Sequence, residues 1–168
     1  MTEAADADLY ERDFYAWTQA QAARLRKLSG DNRFDVANVA EEIADLGRAQ
    51  QNAFRRHLMR ALQHLIQAAA AVDDASKRKW LGEVVDHLAD AQNLLASSPK
   101  LAHDVDMAKV WAQAVRTANS KLRLYDDPEF PAGLACPFTL NALLSEDFDP
   151  QAAADTLRTM LSDCPPEP

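Results

Sequence analysis

Residues 35–72 read DVANVAEEIADLGRAQQNAFRRHLMRALQHLIQAAAAV and decide the fold, since they contain one glycine and no proline. Their apolar side chains recur at the helical period of about 100° per residue and share one face. Those side chains are Val36, Val39, Ile43, Leu46, Phe54, Leu58, Ala61, Leu65 and Val72. A strict heptad fails because the apolar set shifts after Leu46, so the stretch predicts one roughly straight amphipathic helix rather than a coiled coil.

Two residues bear on where this helix begins and whether it is continuous. Asp35 suits the N-cap, because its carboxylate can accept a hydrogen bond from the first turn. Gly47 lies on the apolar line, so it either permits close approach of another helix or marks a break. A glycine inside a helix costs about 1 kcal/mol relative to alanine. We therefore expect a kink or short break near Gly47.

The helical pattern is also present before residues 35–72, and after them as far as Leu124. Further helices are predicted at 8–28, 77–96 and 98–124, the last with a break allowed near 104–106. Residues 73–76 read as the turn and N-cap before the helix at 77–96. Ser98 suits the N-cap of the following helix, because Pro99 is well placed at a first helical position.

After Tyr125 four prolines predict a loop, with a short helix capped by Thr139 and a last helix at 151–161. The fold class is therefore all-α. We expect an antiparallel bundle of about four amphipathic helices with a Pro-rich C-terminal segment that carries one or two short helices.

Length and composition favour a self-sufficient globule. At 168 residues the chain suits one helical domain over 1–168, with its core at about 8–150 and a frayed tail at 162–168. A chain of this size buries about 70% of its unfolded surface, so it folds without a metal ion or a disulfide. The net charge of −8 repels phosphate backbones and argues against a general nucleic-acid binder.

The cysteines and the N-terminus indicate the cytoplasm. Cys136 and Cys164 have no neighbour at zinc-ligand spacing, so we expect free thiols in a reducing compartment. The acidic start, MTEAADADLYERDF, resembles neither a signal peptide nor a transit peptide. No apolar run approaches the ~20 residues of a membrane span, so no membrane partner is expected.

The histidines are the first candidates for chemistry. His57 and His64 lie near the apolar face, seven residues and thus about 10 Å apart along the helix axis. They cannot share one metal ion, because metal–nitrogen bonds are near 2 Å. His64 can pair with His87 or His103 from other helices. Glu83 and His87 are four residues apart, but we expect them to point away from the main stripe of their helix. The expectation is hydrogen-bonded, half-buried histidines with no metal and no cofactor.

Acidic residues near the start of the long helix are the second candidates. Glu41 and Glu42 are adjacent and diverge by about 100°, so they do not form a facing carboxylate pair. Asp45 can pair with Arg48 on the surface. Glu42 projects beside the apolar face, and we expect it to be partly buried against an arginine from another helix.

A basic stripe is the third candidate, and it comprises Arg48, Arg55, Arg56, Arg60, Lys77, Arg78 and Lys79. Nucleic-acid binding calls for interleaved aromatic residues, and only Trp80 is present here, so a solvated or partner-facing surface is favoured. The chain has no glycine-rich phosphate loop, dinucleotide fingerprint or nucleophile elbow.

An ordered set of short motifs resembles one bacterial family. The motifs are Asp13-Phe14-Tyr15-Ala16-Trp17 with Gln21, Glu41-Glu42-Ile43-x-x-Leu46-Gly47, His64-Leu65, Ser98-Pro99-x-Leu101, Phe130-Pro131 and Cys136-Pro137-Phe138-Thr139. Over about 8–150 the chain is similar to the family called domain of unknown function twenty-nine. The resemblance implies a helical fold and no assigned activity. Members often follow the His-Leu pair with a basic-aromatic stretch and Gln-Pro, where this chain has Gln67 and four alanines.

Three functions are therefore weighed. The leading hypothesis is a non-enzymatic cytoplasmic bundle that acts through a protein partner or as a homo-oligomer. The alternative is a small enzyme or metal-binding protein that uses Glu42 and His64, with Tyr15 or Trp17 lining a pocket. The third is weak nucleic-acid binding through the basic stripe. The candidates for a polar site or a buried network are Glu42, Asp45, His57, His64, Tyr15 and Trp17.

Overall fold

Helices make up nearly all the regular structure in the computed structural model, which describes residues 3–28 and 34–163, with side chains from residue 8. The α-helices are α1 (Glu3–Arg12), α2 (Phe14–Leu25), α3 (Val36–Ala70), α4 (Asp74–Ser97), α5 (Met107–Leu122), α6 (Leu140–Leu143) and α7 (Pro150–Ser162). Two 3₁₀ turns occupy Pro99–Ala102 and Arg123–Tyr125. Within these ranges no strand forms, and the prediction of an all-α fold is confirmed. The tail at 164–168, with Cys164, lies outside the described residues.

Helix α3 runs for 35 residues without interruption, so the break expected at Gly47 does not occur. A Cβ atom on Gly47 would collide with Thr18 Oγ1 and lie 2.8 Å from Gln19 Nε2. Thr18 is fully buried on α2. Gly47 therefore serves the close approach of α2 to α3. Asp35 is the predicted N-cap, since its Oδ1 accepts a hydrogen bond of 3.2 Å from the Asn38 amide.

The buried face of α3 differs from the predicted one in the first half of the helix. There Ala40, Ala44 and Gly47 are buried, while Leu46 is 54% exposed. Small residues occupy the buried face there because they let the backbones of α2 and α3 approach closely. From Phe54 onward the prediction holds, until Val72, which follows the end of the helix and is 87% exposed.

The first predicted helix, 8–28, is two helices, α1 and α2, separated at Asp13. The Asp13 backbone leaves the helical conformation, with φ −154° and ψ 84°, and its Oδ1 accepts a hydrogen bond of 2.8 Å from the Ala16 amide. Its Oδ2 accepts another of 2.8 Å from the Lys100 amide. One carboxylate thus caps α2 and also anchors a distant turn, which overrides the helical periodicity of the segment.

Other helix ends are set by side chains as well. Helix α4 begins three residues earlier than predicted because Asp73 is its cap, with Asp73 Oδ1 2.8 Å from the Ser76 amide. The expected break near 104–106 is present, and Asp106 caps α5. Thr139 caps α6 as predicted.

Ser98 occupies the expected N-cap position before Pro99, but its hydroxyl does not cap the 3₁₀ turn that follows. Instead it accepts a hydrogen bond of 3.1 Å from the Tyr15 amide and donates one of 3.1 Å to Gln50 Oε1. Ser98 therefore links three separate segments of the chain.

The chain divides into two compact units, Met1–Arg55 with Gln92–Val105 and Arg56–Ala91 with Asp106–Pro168. The first contains α1, α2, the start of α3 and the end of α4. The second contains the rest of α3 and α4 together with α5, α6 and α7. The single domain of the sequence analysis stays a prediction. Among the described helices, none combines the length and the apolarity that crossing a membrane requires.

In the second unit the Pro-rich segment is fastened to α5 by polar side chains. Asn119 donates to the Phe130 carbonyl at 2.8 Å and accepts from the Phe130 amide at 2.9 Å. Trp111 Nε1 donates to the Leu134 carbonyl at 2.7 Å. These bonds hold an irregular backbone in place and leave the Phe130 side chain fully buried.

Arg158 of α7 caps the C-terminal end of α3. Its Nε donates to the Ala69 carbonyl at 3.0 Å, and its Nη2 donates to the carbonyls of Ala68 and Ala71 at 3.4 and 3.1 Å. The last carbonyls of a helix have no partner inside the helix, and they carry the negative end of its dipole. A guanidinium satisfies both needs.

We expect Gly47→Ala to lower the free energy of unfolding by about 1–3 kcal/mol, because overpacking against buried Thr18 outweighs a helix-propensity gain of about 1 kcal/mol. Urea unfolding followed by circular dichroism measures it. Gly82 on α4 is the matched control, since an added Cβ there meets no atom within 4 Å. Gly82→Ala should raise stability by up to about 1 kcal/mol. Equal responses of the two variants would contradict the close approach at Gly47.

We expect Arg158→Met to destabilise the protein by about 2–3 kcal/mol, because buried carbonyls of α3 lose a charged donor. The control is Arg123→Met, which removes an exposed ion pair with Glu129 and should cost less than about 1 kcal/mol. Chemical denaturation of both variants makes the comparison. If Arg158→Met costs no more than the control, the capping role is wrong.

Candidate functional site

The hairpin of α3 and α4 in the second unit brings three histidines together. His57 contacts His87, and His64 contacts Trp80. Seven residues forward along α3 thus correspond to seven residues back along α4, as antiparallel packing requires. We call His57, His64, Glu83, His87 and Asp90 the histidine cluster.

His57 occupies one end of the histidine cluster. Its Nδ1 lies 3.3 Å from His87 Nδ1 and 3.4 Å from Asp90 Oδ2. The His57 side chain is 26% exposed and that of Asp90 is 57% exposed. These three side chains therefore meet at a place that solvent reaches.

His64 occupies the buried end, in a stack of parallel rings. Its ring lies 5.2 Å from the Trp80 ring and 5.6 Å from the His87 ring, each at an interplanar angle of 10°. Its Nδ1 is 3.0 Å from Gln67 Oε1. An amide oxygen only accepts, so His64 Nδ1 carries the proton, and in the neutral ring Nε2 keeps its lone pair.

A chain of polar side chains along α3 supports His64. Arg60 Nη1 donates to Gln63 Oε1 at 3.0 Å, and Gln63 Nε2 donates to Gln67 Oε1 at 2.9 Å. Gln67 therefore accepts from both Gln63 and His64. In the part of the chain that the structure describes, no buried side-chain nitrogen or oxygen lacks a partner. Burial of these polar groups is thus fully compensated.

Two of the imidazoles, those of His64 and His87, have lowered pKa values. Burial lowers the pKa of His64 to about 4, and the charge of His87 contributes to that shift. Burial also lowers the pKa of His87, and the charge of His57 acts in the same direction. Neutral imidazoles are the form that binds metal ions or takes up protons.

Two overlapping groups in the histidine cluster have converging donor atoms. His57, His87 and Asp90 form one, and His64, Glu83 and His87 form the other, with donor atoms within 4.8 Å of one another in each. Of the two histidines expected as partners of His64, His87 and His103, it is His87 that contacts it. Glu83 and His87 were expected to point away from the main apolar stripe of α4. They lie beside that stripe, on the side of α4 that faces His64 of α3.

Glu42 does not join this cluster. It is exposed and belongs to the first unit, 22 residues before His64 in the sequence, whereas the histidine cluster lies in the second unit. The expected arginine from another segment binds Glu41 instead. Glu41 accepts from Arg26 at 3.0 Å and from Arg48 at 2.6 Å, and these bonds, with Arg48 the stronger influence, lower the pKa of Glu41.

The predicted ion pair of Asp45 with Arg48 is confirmed, and both side chains are exposed. Arg26, Glu41, Asp45 and Arg48 therefore form a network of exposed charges at the surface, where a single ion pair contributes little to stability.

Tyr15 and Trp17 lie in the first unit and differ in their surroundings. Tyr15 is buried, and burial together with its hydrogen bond to Asp104 raises the pKa of its hydroxyl. Trp17 belongs to what we call the aromatic cluster, which is Tyr10, Phe14 and Trp17. The ring centroids in the cluster are 4.9–5.8 Å apart. Tyr10 is 46% exposed, and Phe14 and Trp17 are half-buried.

Four of the seven residues of the basic stripe contact other residues of the chain. Arg48 pairs with Glu41 and Asp45, and Lys77 pairs with Asp155 at 3.0 Å. Arg60 donates to Gln63, and Lys79 lies 4.7 Å above the Trp80 ring. A phosphate backbone would compete with these contacts at Arg48, Arg60, Lys77 and Lys79.

Comparisons with known proteins agree with the helical fold. The family model described as domain of unknown function DUF29 matches residues 9–149. The chain is also similar to a solved alpha-helical protein of unknown function from Rhodospirillum rubrum, with 27% identity and a TM-score of 0.75. That similarity covers 88% of this chain and 96% of the other. No curated protein matches the chain.

We expect Gln67→Leu to lower the free energy of unfolding by about 1–3 kcal/mol, because His64 and Gln63 would both lose a buried acceptor. Gln113→Leu, at an exposed position of α5, is the matched control and should change stability by less than about 0.5 kcal/mol. Thermal or urea unfolding of the two variants decides. If Gln67→Leu leaves the free energy of unfolding unchanged, the buried chain of polar side chains contributes nothing to stability.

Proposed function

We propose that this chain, which belongs to the DUF29 family of domains of unknown function, acts without catalysis by binding another protein through its aromatic cluster. Neither the family nor the solved protein from Rhodospirillum rubrum carries an assigned activity. The single observation behind the proposal is that three aromatic rings pack on one another while none of them is buried.

The exposure of the aromatic cluster supports an interface. Tyr10 packs edge-to-face on Phe14 and Trp17. Rings packed in this way usually belong to a core, because each contributes a large apolar area. Exposed Tyr and Trp side chains are also the residues that most often dominate binding energy at protein interfaces. A partner that covers these rings would gain apolar burial without reshaping the chain.

Charge around the aromatic cluster supports a basic partner. The described side chains from 8 to 13 include three acids, Asp8, Glu11 and Asp13, and the single basic one among them, Arg12, pairs with Asp8 at 2.6 Å. An apolar centre with an acidic rim complements an apolar patch ringed by Lys and Arg. The net charge of −8 disfavours a second copy of the same chain. We therefore place a different protein on this surface.

We place this interaction in the bacterial cytoplasm. The free thiol of Cys136 suits a reducing compartment. The solved relative comes from a bacterium.

The test is a photo-crosslinking amino acid at position 10, introduced in living bacterial cells. We expect one discrete adduct with a different protein, and we expect the adduct to weaken at high salt because the rim is charged. Trp17→Ser should reduce the adduct, since it removes part of the aromatic cluster.

The control is the same amino acid at position 125. Tyr125 is 69% exposed and lies in the second unit, outside the aromatic cluster. Adducts that are identical from the two positions, self-adducts alone, or no adduct from position 10 would each refute the proposal.

A further inference from the structure

We propose that the histidine cluster binds one divalent transition-metal ion of the zinc class, with His57, His87 and Asp90 as its protein ligands. This site is independent of the aromatic cluster and of the function proposed for it. Two imidazoles and one carboxylate are a ligand set that zinc, cobalt, nickel and copper accept.

Donor separations carry the proposal. Zinc binds nitrogen and carboxylate oxygen at about 2.0–2.1 Å, so neighbouring donors of a tetrahedral ion lie about 3.3–3.4 Å apart. His57 Nδ1 lies 3.3 Å from His87 Nδ1 and 3.4 Å from Asp90 Oδ2. Two edges of the tetrahedron are therefore already in place. All three residues place a donor atom within 4.8 Å of the others, and the carboxylate of Asp90 is 57% exposed, so little packing restrains it.

Hydrogen bonding alone satisfies this arrangement poorly. Neutral His57 has at most one proton on Nδ1, yet that atom faces both an imidazole nitrogen and a carboxylate oxygen. A metal ion bonds all three donor atoms at once.

The surrounding charges and exposure suit a cation. Two carboxylates, those of Glu83 and Asp90, interact electrostatically with His87, and so does the guanidinium of Arg60. Arg60 is directed to Gln63, to which it donates a hydrogen bond. The partial exposure of His57 and Asp90 leaves an entry path from solvent and room for water as a fourth ligand.

The first group is a better ligand set than the second group of His64, Glu83 and His87. His64 Nδ1 is occupied by Gln67, and the His64 ring is held between Trp80 and His87. We therefore assign His64 a positioning role, in which it supports the His87 ring. The objection that His57 and His64 are too far apart for one ion does not apply, because the second imidazole comes from α4.

The test uses the full chain, stripped by a chelator and titrated with Co²⁺. We expect one Co²⁺ per chain with the strong visible absorption of four-coordinate cobalt, and we expect Zn²⁺ to displace it. Asp90→Asn should weaken binding at least about 100-fold, since losing a ligand costs more than losing a supporting group. Asp90 is exposed, so this variant keeps the fold, which circular dichroism verifies.

Matched controls distinguish the ligand set from loose binding. Asp86→Asn removes an exposed acid from the same helix, and His103→Gln removes an exposed histidine. Both should bind Co²⁺ as the unchanged chain does, while His57→Gln should bind as poorly as Asp90→Asn.

Three outcomes would overturn the proposal. The first is the absence of saturable binding of one ion per chain. The second is equal affinity of Asp90→Asn and Asp86→Asn. The third is loss of binding in Glu83→Gln with binding kept in Asp90→Asn, which would move the ion to the other group.

Discussion

Complete burial of the end of α3 is the constraint on which the second unit depends. Every residue from 61 to 71 is buried, so this stretch of helix has no face left for water. Its polar side chains and its last carbonyls must then find partners within the protein. Gln63, His64 and Gln67 bond to one another, and Arg158 reaches the carbonyls from α7. Arg158 thereby ties α7 to the end of α3, in addition to the burial of Ala154 and Leu157 of α7.

The same constraint prepares the histidine cluster. Gln67 fixes the tautomer of His64, and the His64 ring in turn stacks on His87. His87 is thereby held where it meets His57 at the solvent-exposed end of the cluster. Side chains on two packed helices are positioned more rigidly than side chains on loops. The buried network thus holds a set of donor atoms in place at its solvent-exposed edge.

Local rules account for the predictions that succeeded. Asp35 and Thr139 cap their helices because a short side chain bonds to a backbone amide three residues later. The division of the first helix was missed because Asp13 also holds the Lys100 amide, 87 residues away. The buried face of α3 was misplaced near Leu46, since hydrophobicity ranks leucine above the small residues that close helix packing requires. Of the histidine cluster, the sequence offered His57 and His64 as candidates and His87 as one of two partners for His64, but not Asp90, because packing decides which side chains of α4 face α3.

The sequence by itself determined the helical fold class, most helix ends and the spacing of His57 and His64, because helical period and capping depend on neighbours along the chain. The tertiary structure alone decided that Gly47 serves a close contact, that Glu42 remains exposed and that His87 lies between His57 and His64. These facts depend on the register of one helix against another. Register is set by packing over the whole interface, and no single stretch of the chain encodes it.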